Sequence, residues 1–310
     1  MTLLIKLALL ALGFVMLIKG ANYFVSGASG IAYRFGIPHL IVGLTIVAMG
    51  TSAPETAVSI AAAFKGSADI TIGNIVGSNI LNIWVILGIS SIVAALTVAK
   101  SAVRIDIPFV IIISAVLLIM GLDGVISRID GIILCAVFVL YMIYLFSKSK
   151  ETSQTDGETQ EQPMWKNLLF AAGGLVLMVF GSRFTVESAS DIARIFGMSE
   201  RFIGLTIVSF GTSLPELFTS ISAARRGNVD IAIGNVIGSS MFNILFVVGI
   251  SALIIPVPFA AKFRVDAAVS AVAALTLFLF CRRKQKINKP AGICMLICYG
   301  AYFVYLLQRP

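Results

Sequence analysis

The chain is one unit used twice, and this internal repeat constrains its fold more than any other feature. A shift of 161 positions (211 minus 50) places Gly50 on Gly211 and Glu55 on Glu216. From residue 20 to residue 90 the match needs no gap, and about half of the positions are identical, which is far above chance. Whatever the first half folds into, the second half is therefore expected to repeat.

Both copies consist mainly of apolar runs that are long enough to cross a lipid bilayer. Of the 310 residues, 58% are hydrophobic and 12% are charged, whereas a soluble domain carries about 25% charged residues. The first run resembles a secretory signal, but its repeat-related segment is internal, which favours a retained helix. We predict an all-α, polytopic membrane protein with ten spans at 2–33, 40–64, 70–96, 104–121, 129–147, 165–194, 201–224, 231–255, 265–281 and 290–308.

Five spans per half is an odd number, so the second half is expected to enter the membrane from the opposite side. The predicted domains are a first five-helix repeat over 1–147, a polar linker over 148–164, and a second, inverted repeat over 165–310. Inverted repeats are typical of secondary transporters, in which the two halves meet at a site near the bilayer midplane.

The charge of the loops predicts how the chain lies in the membrane. Lys and Arg favour the loops on the linker's side, mostly through CRRKQKINK at 281–289. This bias predicts a cytoplasmic linker and an outside N-terminus. Because targeting and regulatory extensions are absent, we expect the plasma (inner) membrane of a prokaryote. The net charge of +8 is scattered between apolar runs, which argues against nucleic acid as a partner.

Two glutamates lie in the middle of apolar spans, Glu55 in GTSAPE and Glu216 in GTSLPE. A carboxylate at bilayer depth is energetically unfavourable. It therefore faces a cavity and usually marks an ion path. The alternative is a protonated glutamate that binds a neighbouring helix. Two glutamates at repeat-related positions in the same motif favour the ion path.

A proline precedes each glutamate, lacks an amide proton and disrupts the helix one turn earlier. Irregular backbone at membrane depth is tolerated where it lines a cavity, so the freed carbonyls and nearby hydroxyls are candidate ligands. The residues of this motif that we single out are Ala48, Gly50, Thr51, Ser52 and Pro54 in the first half, and Ser209, Gly211 and Pro215 in the second.

A second motif follows each glutamate after a short turn, GNIVGSNILN at 73–82 and GNVIGSSMFN at 234–243. Its serine and asparagine are spaced i, i+4 and share one helix face, while its glycines permit close helix contact. GxxxG alone indicates packing, but a hydroxyl and an amide on one face indicate coordination. The residues are Ser78, Asn82 and Gly77, and Ser239, Asn243 and Gly238.

These candidate ligands are all oxygen atoms, and the motifs contain neither histidine nor cysteine. Zinc and copper are therefore disfavoured and hard cations are implied. The carboxylates Glu55 and Glu216 suit one Ca²⁺, which takes about six to eight oxygens, and the same oxygens could serve two or three Na⁺. We expect Ca²⁺ and Na⁺ as transported ions, the lipid bilayer as surroundings, and no cofactor.

The paired motifs, present twice in inverted halves, resemble the α-repeats of the sodium/calcium exchanger family within the cation/calcium antiporter superfamily, and the prokaryotic type in particular. The resemblance covers the whole chain. It implies ten helices and alternating access by sliding of the first and sixth helices past a fixed core. The ion-coordinating residues it implies are Thr51, Ser52, Glu55, Ser78, Asn82, Thr212, Ser213, Glu216, Ser239 and Asn243, with the carbonyls of Ala48 and Ser209.

The sequence also departs from parts of this family. Potassium-dependent relatives and some microbial ones place an aspartate where this chain has Asn243, which argues against potassium dependence. Proton-coupled calcium exchangers carry GNxxE, where this chain has Gly77 and Gly238.

The function that we expect is Na⁺/Ca²⁺ antiport by a monomer, with Ca²⁺/H⁺ or other cation/H⁺ antiport as the alternative. A passive channel is disfavoured because two unlike halves of one chain supply the site. An intramembrane metalloenzyme is disfavoured because no histidine lies in a span, so we expect no enzyme.

Overall fold

The computed structural model describes residues 3–151, 162–198, 207 and 209–308, and these are mostly helical. The helices of the first half are α1 (Leu3–Phe35), α2 (His39–Thr51), α3 (Ala53–Phe64), α4 (Ile70–Val93), α5 (Ala102–Asp123) and α6 (Arg128–Glu151). Those of the second half are α7 (Met164–Ile195), α8 (Ser209–Thr212), α9 (Leu214–Arg225), α10 (Val229–Ile254), α11 (Ala261–Lys284) and α12 (Lys289–Gln308).

Within the described residues, eight helices are long and apolar enough to cross a membrane. A ninth candidate is the pair α2 and α3, which is bent by 49° at its break. These nine match nine of the predicted spans. The remaining predicted span, 201–224, falls partly outside the described residues, which resume with α8 and α9.

Four two-residue strands depart from the all-helical prediction. They are β1 (Leu96–Thr97), β2 (Val125–Ile126), β3 (Val257–Pro258) and β4 (Lys286–Ile287). Strand β1 pairs antiparallel with β4, and β2 with β3. Each ribbon joins one half of the chain to the other, so the loops between the spans also hold the halves together.

The two long helices α1 and α7 pack against each other, antiparallel and at very short range. A Cβ on Gly20 would lie 2.8 Å from the carbonyl oxygen of Gly174, and one on Gly13 would lie 2.9 Å from that of Gly181. Since real Cβ contacts are longer than this, glycine is required at these crossings. The helix pair thus forms a closely packed unit beside the rest of the protein.

Helices α4 and α10 form the centre of the molecule. In their most apolar windows 83% and 78% of the residues are buried, against 17% for α1. The last helix of each half covers the central helix of the other half: Gly88 of α4 lies against Gly292 of α12, and Gly131 of α6 against Gly249 of α10. The second motif is therefore enclosed by both halves.

Several spans contain a π-type turn, in which the backbone hydrogen bonds are i to i+5. Such turns occupy Gly43–Val47 in α2, Leu81–Ile86 in α4, Ala102–Asp106 in α5 and Asn243–Val248 in α10. π-turns within helices are frequent at functional sites because they re-aim side chains. Here two of them contain the asparagines of the second motif.

Candidate cation site

The broken spans place the two glutamates at the centre of the protein. The helical path breaks at Ser52 (φ −80°, ψ 11°) and at Ser213 (φ −89°, ψ 6°), and a new helix starts with a proline in its first turn. Glu55 and Glu216 lie in that same turn of α3 and α9, and each is 1% exposed. The predicted disruption by Pro54 is thus seen as a helix break at Ser52, two residues before the proline.

Each glutamate is bound by the serine of the opposite half. The Ser52 hydroxyl donates to Glu216 Oε1 at 2.8 Å, and the Ser213 hydroxyl donates to Glu55 Oε1 at 3.3 Å. Ser213 also lies 3.5 Å, oxygen to oxygen, from the Ser78 hydroxyl of α4. The two GTSxPE motifs therefore meet, although they are far apart in the sequence.

Four buried oxygens at the site have no hydrogen-bond partner in the part of the chain that the structure describes. They are Oε2 of Glu55, Oε2 of Glu216, Oδ1 of Asn82 and Oδ1 of Asn243. Among the described residues, these are the only carboxylate or amide oxygens that are buried and unpartnered. A buried acceptor without a partner is strongly destabilising, and two repeat-related pairs of them indicate a site for a cation.

The hydroxyls of Thr51 and Ser239 join the network around the Ala48 carbonyl. Thr51 Oγ1 lies 3.3 Å from the Ala48 oxygen and 3.0 Å from Asn235 Oδ1, and Ser239 Oγ lies 3.4 Å from the Ala48 oxygen. That oxygen also accepts from the Ser52 amide at 3.0 Å. Pro54 therefore does not free the Ala48 carbonyl, because this helical bond lies before the proline and does not involve its nitrogen.

In the second half, the counterparts are less fully described. Ser209 begins α8, but its side chain lies outside the described residues. Thr212 ends the same helix and is half-buried. The role of both residues as ligands stays a prediction.

The motif glycines contact other helices. A Cβ on Gly50 would lie 2.9 Å from the Phe24 ring of α1, and one on Gly211 would collide with Val186 of α7. A Cβ on Gly238 would lie 2.6 Å from the Leu44 carbonyl of α2.

No described atom lies within 4 Å of the corresponding point at Gly77. Close packing is thus seen at Gly50, Gly211 and Gly238. Pro215 opens α9 as Pro54 opens α3.

The asparagines of the GN pairs, Asn74 and Asn235, also belong to the site, although the sequence motifs did not single them out. Asn74 donates to the Glu55 carbonyl at 3.2 Å and to Ser59 Oγ at 3.0 Å. Asn235 makes the same two contacts in the second half, to the Glu216 carbonyl at 3.3 Å and to Ser220 Oγ at 2.9 Å. Because the same asparagine occurs in both halves, the repeat could have identified it as a site residue. In each half it supports the backbone that carries the glutamate.

The arrangement can hold a hard cation but not a soft one. Its oxygens come from carboxylate, amide and hydroxyl groups, which suit Ca²⁺, Na⁺ and similar ions. Among the described residues there is no cluster of three or more His, Cys, Asp or Glu side chains that could hold a metal. The site therefore depends on two carboxylates supplemented by neutral oxygens.

Comparison with known proteins places the chain in a family. The sequence model of the family described as "Sodium/calcium exchanger protein" matches residues 5–147 and 166–308. Inner membrane protein YrbG of Escherichia coli is 36% identical over 98% of this chain and 96% of its own. Sodium/calcium exchanger MaX1 of Methanosarcina acetivorans is 30% identical over 97% of this chain and 98% of its own.

A solved structure of the sodium-calcium exchanger NCX_Mj, soaked with zero Na⁺ and Ca²⁺, superimposes with a TM-score of 0.87. The two chains are 31% identical, and the match covers 98% of this chain and 100% of the other. The fold and the sequence thus agree over nearly the full length. The chain belongs to the sodium/calcium exchanger family, and it is an antiporter of the membrane rather than an enzyme.

Proposed function

We propose that the protein exchanges Na⁺ for Ca²⁺ across a prokaryotic plasma membrane, one type of ion replacing the other at the site between the two halves. The observation that carries the proposal is the set of four unpartnered buried oxygens on Glu55, Glu216, Asn82 and Asn243. Two carboxylates carry the charge needed to balance one Ca²⁺. The same oxygens can serve Na⁺, so the ions compete and are not bound together.

The ligand set that we propose adds hydroxyl and carbonyl oxygens to these four residues. The hydroxyls of Ser52 and Ser213 each donate to a carboxylate and keep lone pairs for a cation. The complete set is Ala48, Thr51, Ser52, Glu55, Ser78, Asn82, Ser209, Thr212, Ser213, Glu216, Ser239 and Asn243.

Alternating access is the transport mechanism that this fold supports. Helices α1 and α7 pack closely on each other through glycine, so they can move as one unit. They contact the site through the two GTSxPE glycines, Gly50 and Gly211. Sliding of this unit would expose the site first on one side of the membrane and then on the other.

The topology that we propose has ten spans in two inverted repeats within one functional monomer. The antiparallel packing of α1 and α7, which are repeat-related, supports inversion. The N-terminus lies outside and residues 148–164 lie in the cytoplasm, in accordance with the loop charges.

The proposal is tested by radioactive Ca²⁺ uptake into proteoliposomes that hold the purified protein. The vesicles are loaded with Na⁺, K⁺ or buffered protons in turn, with empty liposomes as the control. We expect uptake only when Na⁺ is inside and can leave. Uptake driven by a proton gradient in the absence of Na⁺ would establish Ca²⁺/H⁺ antiport instead, and uptake without any counter-ion would indicate a channel.

A further inference from the structure

The side-chain amide of Asn243 is hydrogen-bonded to a second asparagine, Asn79. Asn243 Nδ2 donates to Asn79 Oδ1 at 3.1 Å, and Asn79 Nδ2 donates to the carbonyl oxygen of Ser240 at 3.2 Å. Asn79 is 1% exposed and Asn243 is fully buried. Asn79 lies on α4 of the first half, whereas Asn243 and Ser240 lie on α10 of the second.

The direction of this chain of hydrogen bonds is fixed at one end. The Ser240 carbonyl can only accept, so Asn79 must turn its NH₂ group towards it. The oxygen of Asn79 then faces Asn243 and can only accept in turn. Asn243 must therefore present its NH₂ group to Asn79, and its own Oδ1 is left without a partner among the described residues.

The repeat does not reproduce this arrangement in the other half. The residue related to Asn79 is Ser240, whose hydroxyl donates to the Val236 carbonyl of its own helix at 2.9 Å. That hydroxyl does not bind Asn82, the residue related to Asn243. Among the described residues, Asn82 therefore has no counterpart of the bond that Asn79 makes to Asn243.

We propose that Asn79 is a positioning residue, which aims the carbonyl oxygen of Asn243 at the transported cation and selects an amide at position 243. The proposal rests on the proposed function. A carboxylate at position 243 would have no proton to donate to Asn79 Oδ1. Turning the Asn79 amide over would instead set its oxygen against the Ser240 carbonyl, so a neutral ligand is favoured.

The test measures Ca²⁺ binding to the purified, full-length protein by titration calorimetry. Asn79→Ala should weaken Ca²⁺ binding about tenfold, since the Asn243 amide loses the bond that orients it. Ser240→Ala is the matched control, because it removes the repeat-related side chain and leaves the carbonyl that anchors Asn79. It should change Ca²⁺ affinity less than about twofold.

A double variant separates positioning from a general structural effect. If Asn79 acts through Asn243, then Asn79→Ala should cause no further loss of affinity in an Asn243→Ala background. Equal losses in both backgrounds, or unchanged affinity in the single variant, would overturn the inference. If Asn79→Ala does not fold, Asn79→Ser, which introduces the residue of the other half, takes its place with the same expectation.

The outcome for the unmodified protein distinguishes this inference from the function on which it rests. If the unmodified protein binds no Ca²⁺, the proposed function fails and the inference falls with it. If it binds Ca²⁺ and Asn79→Ala binds equally well, only the role of Asn79 is wrong.

Discussion

The long helices α1 and α7 are related by the repeat, yet their polar faces are bound differently. On α1, Asn22 accepts from Ser222 at 2.7 Å, and Ser29 accepts from Asn228 at 3.1 Å. Between them Ser26 accepts from Arg226. These three bonds hold the C-terminal part of α1 to the end of α9 and the turn before α10.

The corresponding face of α7 makes none of these bonds. Arg183 and Glu187, related to Asn22 and Ser26, form an ion pair with each other, at 2.7 Å. The hydroxyl of Ser190, related to Ser29, is buried and has no partner among the described residues. Lys65, related to Arg226, is exposed, and no described residue forms an ion pair with it.

This difference shows what the repeat permits. The structure makes the contact of α1 with the end of α9, whereas the repeat-related residues of α7, which differ in chemistry, make no corresponding contact among the described residues. If α1 and α7 slide as a unit, the protein has a second state, here called the opposite state, in which the site opens to the other side of the membrane. In that state we expect Arg226 to separate from Ser26, and Glu187 to approach Lys65. Substitutions are therefore expected to act most strongly at the site, where the halves are alike, and least at the helix ends, where they differ.

The largest effect is expected where the halves are most alike. Glu55→Gln and Glu216→Gln should each reduce Ca²⁺ transport at least about a hundredfold, because each removes half of the site's negative charge from a buried position. Transport is measured in proteoliposomes, and folding by size-exclusion chromatography. Asp123→Asn, at an exposed turn, is the control, and normal transport by either glutamine variant would refute the site.

A disulfide bond between α1 and α9 should stop exchange, because it locks the contact that α1 makes in this structure. With the four native cysteines replaced, the pair Asn22→Cys and Ser222→Cys should cross-link readily, because their side chains now touch. The repeat-related pair, Arg183→Cys and Ala61→Cys, should cross-link only under ion gradients that drive exchange. Reduction should restore transport after either cross-link.

Mobility shift on a gel measures each cross-linking rate, and the uptake assay measures its effect. Equal cross-linking rates for the two cysteine pairs under every ion condition would show that the contact of α1 with α9 and the contact of α7 with α3 do not form in turn.

The amides should show a smaller, unequal effect. Asn243→Asp places a carboxylate against Asn79 Oδ1, whereas Asn82 faces no such acceptor among the described residues. We therefore expect Asn243→Asp to change the apparent Ca²⁺ affinity about tenfold, and Asn82→Asp to change it less. The ion competition of both variants is compared in the same vesicles, and equal shifts would mean that the halves do not differ here.

The smallest effects are expected at the single contacts of the helix ends. Arg226→Ala should favour the opposite state about threefold, the size of one exposed hydrogen bond, and so raise the cross-linking rate of the Arg183→Cys and Ala61→Cys pair. Lys65→Ala should lower that rate by a similar factor. If both variants raised this cross-linking rate, or both lowered it, the contacts of Arg226 and Lys65 would not belong to alternative states.

The amino-acid sequence determined the parts of this protein that depend on local pattern. Apolar runs place a helix at each predicted span that the structure describes, and Pro54 and Pro215 mark the two breaks to within two residues. Repetition of GTSxPE and GNxxGSxxxN identified the carboxylates and amides that each have one buried oxygen without a partner among the described residues. These features could be predicted because the periodicity and chemistry of a segment are visible within that segment.

The tertiary structure decided what depends on the meeting of distant residues. Which serine binds Glu55, which asparagine orients Asn243 and which end of α1 is held are set by packing between the halves. The serine–glutamate contact is made in both halves, whereas the Asn22–Ser222 contact is made in one only, and neither outcome can be read from a single segment of the sequence. The physical reason is that each such contact joins side chains from helices of both halves, and their distance is set only when those helices pack.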